Sequence, residues 1–161
     1  MSLPPKIPST DNLETTETQV AILTKKAMAY HQQGNFEEAQ FIYEQILNSR
    51  PNHFDALQLL GVLFAQIKEY SQAVELLSQA LEINPYHSGT YSNRGIALKE
   101  LKRLDEALIN FDQAISIKPD YGDAYYNRGN TLMELKRFDE ALSSYNEAIV
   151  INPDYGDAYY N

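Results

Sequence analysis

The sequence has no cysteine and no tryptophan. Without cysteine there is no disulfide framework, no thiolate nucleophile and no zinc site built on sulfur. The absence fits a reducing compartment, and the cytoplasm is the expected location. Basic charge is scarce too: 13 Lys and Arg stand against 22 Asp and Glu, a formal net charge of −9. A nucleic-acid binder needs a basic face to replace counterions on phosphate. Neither nucleic acid nor an anionic membrane surface is therefore an expected partner. No apolar run approaches the roughly 18 residues of a membrane span. The start, Met1-Ser-Leu-Pro-Pro-Lys, lacks the apolar stretch of a signal peptide. Proline and glycine number seven each, too few for a loop-rich all-β chain.

Tyrosine, by contrast, is abundant, with twelve in 161 residues. Such use suggests one aromatic position copied several times. The nine residues Pro119 to Asn127 indeed recur unchanged as Pro153 to Asn161, 34 residues later. Ser88–Tyr121 aligns without gaps on Gly122–Tyr155, with 19 of 34 positions identical. Stepping back by the same interval gives Phe54–His87 and Val20–His53, more diverged but in frame. Pro51, Pro85, Pro119 and Pro153 form one column; Ala39, Ala73, Ala107 and Ala141 form another. Ala27, Gly61, Gly95 and Gly129 form a third, and Leu23, Leu57, Tyr91, Tyr125 and Tyr159 a fourth. The chain thus divides into a lead at 1–19, repeats at 20–53, 54–87, 88–121 and 122–155, and a truncated fifth at 156–161. The lead, with three prolines and a polar run, is expected to be mostly disordered to about Asn12.

Each repeat reads as two helices. In the third, Tyr91, Arg94, Gly95 and Leu98 fall at i, i+3, i+4 and i+7, one stripe of a helix. After a turn at Leu101–Leu104, Asp105 and Glu106 place negative charge on the first turn of a second helix, where the dipole favours it. Leu104, Ala107, Leu108, Phe111, Ala114 and Ile115 form that helix's apolar face, and Pro119 ends it. The small columns let two backbones approach, with Leu98 and Phe111 filling the space beside them. One helix pair cannot bury its apolar face alone, so the repeats must stack.

The period and these columns resemble the tetratricopeptide repeat family. The repeat style is similar to that of the tetratricopeptide arm of O-linked N-acetylglucosamine transferases. Ala27 and Ile46 depart from the family's small residues in the first repeat, and Leu or Tyr stands where tryptophan is frequent. The resemblance implies an all-α, right-handed superhelical solenoid. Its concave groove, lined by the first helix of each repeat, binds a peptide or protein segment without catalysis.

A helical wheel locates the same groove. With Tyr125, Arg128, Gly129 and Leu132 on the packed stripe, Asp123, Tyr126, Asn127, Asn130, Met133 and Glu134 face the other way. Ser92, Asn93, Ile96, Lys99 and Glu100 do so in the third repeat, and Asp55, Gln58, Leu59 and Val62 in the second. Groove candidates are therefore Asn93, Asn127, Asn130, Tyr126, Asp123, Lys99, Ser92 and Gln58. Asn93, Asn127 and Asn161 form a ladder at one column, interrupted by Lys25 and Leu59. A primary amide can pair with both groups of a peptide unit. Repeats about 10 Å apart would let one asparagine hold every third residue of a strand rising ~3.3 Å per residue. The same column also suits a solvated or capping asparagine. The ladder resembles the one in the transferases named above. The family's carboxylate clamp is not carried over, because Thr24, Met28, Leu59, Gly89 and Asn93 hold its columns. Asp55, Glu100, Asp123, Glu134 and Asp157 weakly favour a neutral or basic segment.

No catalytic, cofactor or metal site is expected. His53 and His87 lie one repeat apart and cannot reach one ion at the ~2 Å that zinc requires. They read as loop residues equivalent to Tyr121. Two further functions remain open. The second helix of the fourth repeat lacks its full neighbour, leaving Leu142, Tyr145, Ile149 and Tyr159 available for end-to-end homo-oligomers. The chain also suits the substrate-recruiting arm of a larger enzyme, such as a glycosyltransferase.

Overall fold

The computed structural model describes residues 16–153. Among these residues there are eight helices and no strand: α1 Glu17–Gln32, α2 Phe36–Ser49, α3 Phe54–Gln66, α4 Tyr70–Ile83, α5 Ser88–Glu100, α6 Leu104–Ile117, α7 Gly122–Glu134 and α8 Phe138–Ile151. The expected lead to Asn12 and the stub at 156–161, with Tyr159 and Asn161, lie outside the described residues.

Local chemistry sets the helix ends. Thr16 opens α1 with a capping box: Gln19 N–H donates to Thr16 Oγ1, and Thr16 N–H donates to Gln19 Oε1. His53 and His87 are more than loop residues. Their Nδ1 atoms accept from Ala56 N–H at 3.2 Å and Thr90 N–H at 3.1 Å, capping α3 and α5. Arg50, Asn84, Lys118 and Asn152 leave the helical region with φ between −130° and −140°. Each precedes a proline, whose ring excludes the α conformation from the residue before it.

The turn within each helix pair has its own device. Gly34, Lys68, Lys102 and Lys136 share one column and take φ of 79°, 66°, 61° and 60°. The following N–H then reaches back to a carbonyl five residues earlier, as from Glu69 to Phe64 at 2.8 Å and from Arg103 to Leu98 at 2.9 Å. This closes the otherwise unpaired end of each first helix.

Packing repeats with the sequence. Ala39, Ala73, Ala107 and Ala141 are fully buried. Gly61, Gly95 and Gly129 face Leu77, Phe111 and Tyr145 so closely that an added Cβ would lie 2.8, 2.7 and 2.6 Å from them. Each helix packs on the next, and first helices also touch down the array: α1 with α3, α3 with α5 and α5 with α7. In a curved stack the closer-spaced layer lies inside, so the first helices line the concave face. The core is a chain of local clusters, the largest running from α1 to Ala97 of α5, as expected when each unit buries only its neighbours.

Candidate functional site

The inner face of α5 and α7 carries the amide ladder. Asn93 and Asn127 are half-buried on adjacent first helices that touch. The Asn127 Nδ2 donates to the Asp123 carbonyl at 2.8 Å, holding the amide against its own helix. One N–H and the Oδ1 of Asn127 remain for a ligand. Asn130 is half-buried, and its Oδ1 accepts from the Tyr145 hydroxyl at 2.8 Å, leaving its two N–H donors. The Tyr126 ring stands 5.9 Å from the Tyr145 ring and is half-buried. Asp123 is exposed, while Gln58 is half-buried. Asn161 lies outside the described residues.

Ser92 departs from the expectation. It is 2% exposed and offers nothing to a ligand in the groove. Gln58 and Tyr126 in the same column are long enough to emerge.

The groove is also less acidic than its carboxylates imply. Glu134 pairs with Lys102 at 2.7 Å, and Lys99 lies 3.7 Å from Glu100. The hydrogen bond that Lys102 donates to Glu134 holds its ammonium above its ordinary pKa. Lys99 itself is half-buried beside the Glu100 carboxylate.

At the other end of the array, Leu142 is 60% exposed, whereas Leu108 in the same column is 7% exposed. Leu108 packs with Leu132 and Tyr145 of the next helix pair. Ile149 is half-buried in that cluster. Tyr145 corrects the expected end face, being 4% exposed. Its ring faces Gly129 of its own pair, and it belongs to the interior. Tyr159 lies outside the described residues.

Sequence reasoning missed two features. The first is a pocket of about 440 Å³ between α1 and α3, lined among others by Met28, His31, Phe36, Tyr43, Leu59 and Gln66. The Tyr43 hydroxyl is buried without a hydrogen-bond partner, and burial pushes its pKa up to about 12. The second is a polar seam through α4–α8. Arg94 donates to Asn110 Oδ1 at 2.7 Å and Ser78 Oγ at 3.2 Å. Arg128 donates to Asp112 at 2.6 Å and Ser144 Oγ at 2.6 Å. Among the described residues no group of three or more His, Asp or Glu is placed to hold a metal ion. No described helix is long and apolar enough to cross a membrane.

Comparison with known proteins settles what this array is. Family profiles described as tetratricopeptide repeat match residues 30–88 and 122–155, and one described as TPR repeat matches 97–136. The chain belongs to the tetratricopeptide repeat family. Solved structures similar to this tetratricopeptide chain include MamA, with 26% identity, a TM-score of 0.79 and coverage of 83% of this chain and 78% of that one. Another is YrrB, described as a TPR protein with an unusual peptide-binding site. It has 26% identity, a TM-score of 0.80 and coverage of 92% and 76%. MamA from Desulfovibrio magneticus RS-1 shares the fold at 18% identity, with a TM-score of 0.79 and coverage of 87% and 79%. No curated protein matches the chain.

Proposed function

We propose that this tetratricopeptide chain is a protein-interaction scaffold that holds an extended segment of a partner protein along its concave face. The observation that carries the reading is the pair Asn93 and Asn127, stacked in one column on touching first helices. Asn93 has no side-chain hydrogen bond among the described residues, and Asn127 keeps one donor and one acceptor. Two amides so placed suit a peptide backbone, which makes selectivity broad. Asn130, Tyr126, Asp123, Lys99 and Gln58 flank them; Ser92 is withdrawn. YrrB, a TPR protein with a peptide-binding site of its own and 26% identity to this chain, supports the reading. Because Lys99 and Lys102 offset Glu100 and Glu134, a neutral segment fits better than a strongly basic one.

Binding to an array of extended peptides tests this reading. Four lost hydrogen bonds at about 1 kcal/mol each should weaken the best binders by tenfold or more in Asn93→Ala plus Asn127→Ala. Unchanged binding in a folded double variant removes the ladder. A second reading, end-to-end self-assembly, has one observation in its favour: Leu142 is exposed where Leu108 is covered. Light scattering over a concentration series decides it. A monomer at every concentration eliminates that reading, and Leu142→Glu should abolish any association that is seen.

A further inference from the structure

The second helices stand on the outer side of the array. The first helices α3, α5 and α7 each pack against the second helix before and the second helix after, so a first helix floors every gap between consecutive second helices. Between α4 and α6 the gap is bridged by Arg94, whose guanidinium donates to Ser78 of α4 and Asn110 of α6. Between α6 and α8 it is bridged by Arg128, which donates to Asp112 of α6 and Ser144 of α8. Between α2 and α4 the same column holds Leu60. Leucine is shorter and has no polar end, and a cleft of about 310 Å³ stands there.

The cleft keeps an acceptor where the other gaps have one. Glu44 aligns with Ser78 and Asp112, the residues that receive those guanidinium groups. It lines the α2 wall, and Glu75 lines the α4 wall. Leu47, Leu60, Phe64 and Leu76 supply hydrocarbon between the walls, and no Lys or Arg is among the lining residues. Gln40 donates to one Glu44 oxygen at 2.8 Å, and a carboxylate has a second oxygen to offer. Two carboxylates over hydrocarbon complement a cation with an apolar stem. A guanidinium suits the place better than an ammonium: it is weakly hydrated, stacks on rings such as Phe64, and carries its donors in a planar fork that can reach both walls. Arg128 on Asp112, at 2.6 Å, shows the same pairing within the chain.

We propose that this outer cleft binds an arginine side chain of a partner protein, which takes the place that Arg94 and Arg128 fill from within the chain. The cleft is at the small end of the range for ligand sites and takes one side chain. A protein is the source, and not a free guanidinium compound, because the wall continues outward. Phe41, Glu44 and Asn48 fall at i, i+3 and i+7 on one stripe of α2, and Phe41 is exposed. An apolar residue beside the partner's arginine rests there, a contact that a lone guanidinium compound cannot make.

Amide NMR of the full chain tests this. The probes are capped leucyl-arginine amide, capped leucyl-lysine amide and capped arginine amide. The leucyl-arginine probe should shift the amides of Asn48, Leu60, Phe64 and Glu75 saturably, while those of Asn127 and Ser144 hold still. The other two probes should bind at least threefold more weakly. Glu44→Gln plus Glu75→Gln, at two exposed positions, should weaken the leucyl-arginine probe about tenfold through the loss of charge-assisted bonds. Leu60→Arg plus Leu76→Asn copies the Arg94 and Asn110 pairing and should fill the cleft, abolishing the shifts with the helical circular dichroism unchanged. Four outcomes overturn the proposal. One is no saturable shift at the cleft. Another is a shift that survives the paired glutamine changes, whether or not the filled variant folds. A third is equal binding of either weaker probe; for capped arginine amide, this would make the ligand a free guanidinium compound. The last is the same shifts on concentrating the chain alone, which would make the occupant a second copy. The cleft shares no residue with the Asn93 and Asn127 ladder, so its failure leaves the groove reading standing.

Discussion

The half of the molecule built from α1–α4 and the half built from α5–α8 share one backbone plan and differ in what joins their helices. Position 60 shows it best. Leu60 is buried in hydrocarbon in the first half. One and two repeats later the same column holds Arg94 and Arg128, each bonded to one residue in the preceding pair and one in its own. The partners changed in step: Leu76 aligns with Asn110 and Ser144, and Glu44 with Ser78 and Asp112. A guanidinium with directional bonds fixes the spacing of three helices. Leucine only fills it, and a leucine core tolerates adjustment. The adaptable half is also where the open pocket lies.

The largest expected effect tests that contrast directly. Arg94→Leu should cost about 2–3 kcal/mol, the range for hydrogen bonds to a charged group. Asn110 is 3% exposed and would keep a polar oxygen without its donor. Adding Asn110→Leu copies the Leu60 and Leu76 pairing and should recover stability to within about 1 kcal/mol of the parent. Urea unfolding midpoints measure both. A double variant as weak as the single one would mean that the second half cannot be joined by hydrocarbon, and the two halves would then differ in more than chemistry.

The next effect is smaller and compares two tyrosines. Tyr145→Phe leaves Asn130 without its donor and should cost about 1 kcal/mol. Tyr43→Phe removes an unpaired buried hydroxyl and should be neutral or slightly stabilising. Burial raises the pKa of both hydroxyls. Burial raises the Tyr43 pKa from 10.0 to about 12. A raised folded-state pKa leaves stability intact below pH 10.0 and drains it as pH climbs toward about 12. Tyr43→Phe should therefore show a shallower alkaline limb in denaturation than the parent. If Tyr43→Phe costs as much as Tyr145→Phe, the orphaned hydroxyl is not orphaned in solution.

Most of the plan was legible in the residues. The period placed every helix pair, and the proline column marked where each second helix ends. The glycine and alanine columns identified the close approaches, because only small side chains allow them. Side-chain fate was less legible. Ser92 lies on the inner side of its wheel but is buried, since a wheel does not see the two helices flanking it. Tyr145 is expected at the end face because the fourth repeat lacks its full neighbour, but its ring faces Gly129 of its own pair, a contact that the missing neighbour does not affect. The unpaired Tyr43 hydroxyl depends on which side chains surround it from other helices, and Met28 stands where Asn130 receives the Tyr145 hydroxyl. Arg94 stands on the packed stripe, but a wheel of its own helix does not show Ser78 of α4 and Asn110 of α6 as its partners.

The smallest effect concerns the turn column, where the halves differ by one glycine. Gly34 takes the left-handed conformation with no Cβ, and an added Cβ there would meet nothing within 4 Å. Gly34→Ala should nonetheless cost about 1 kcal/mol, because a Cβ in that region crowds the following carbonyl. Lys136 holds the same conformation with φ of 60° and is exposed. Lys136→Gly should gain about 0.5 kcal/mol, the relief of strain less the extra entropy of glycine in the unfolded chain. Lys102→Gly should gain less, since it also loses the bond to Glu134. Thermal midpoints of the three variants should rank Lys136→Gly above Lys102→Gly above Gly34→Ala. If Lys136→Gly instead lowers the midpoint, the lysine contributes something beyond occupying the turn, and the resemblance of the halves at this column would be one of shape alone.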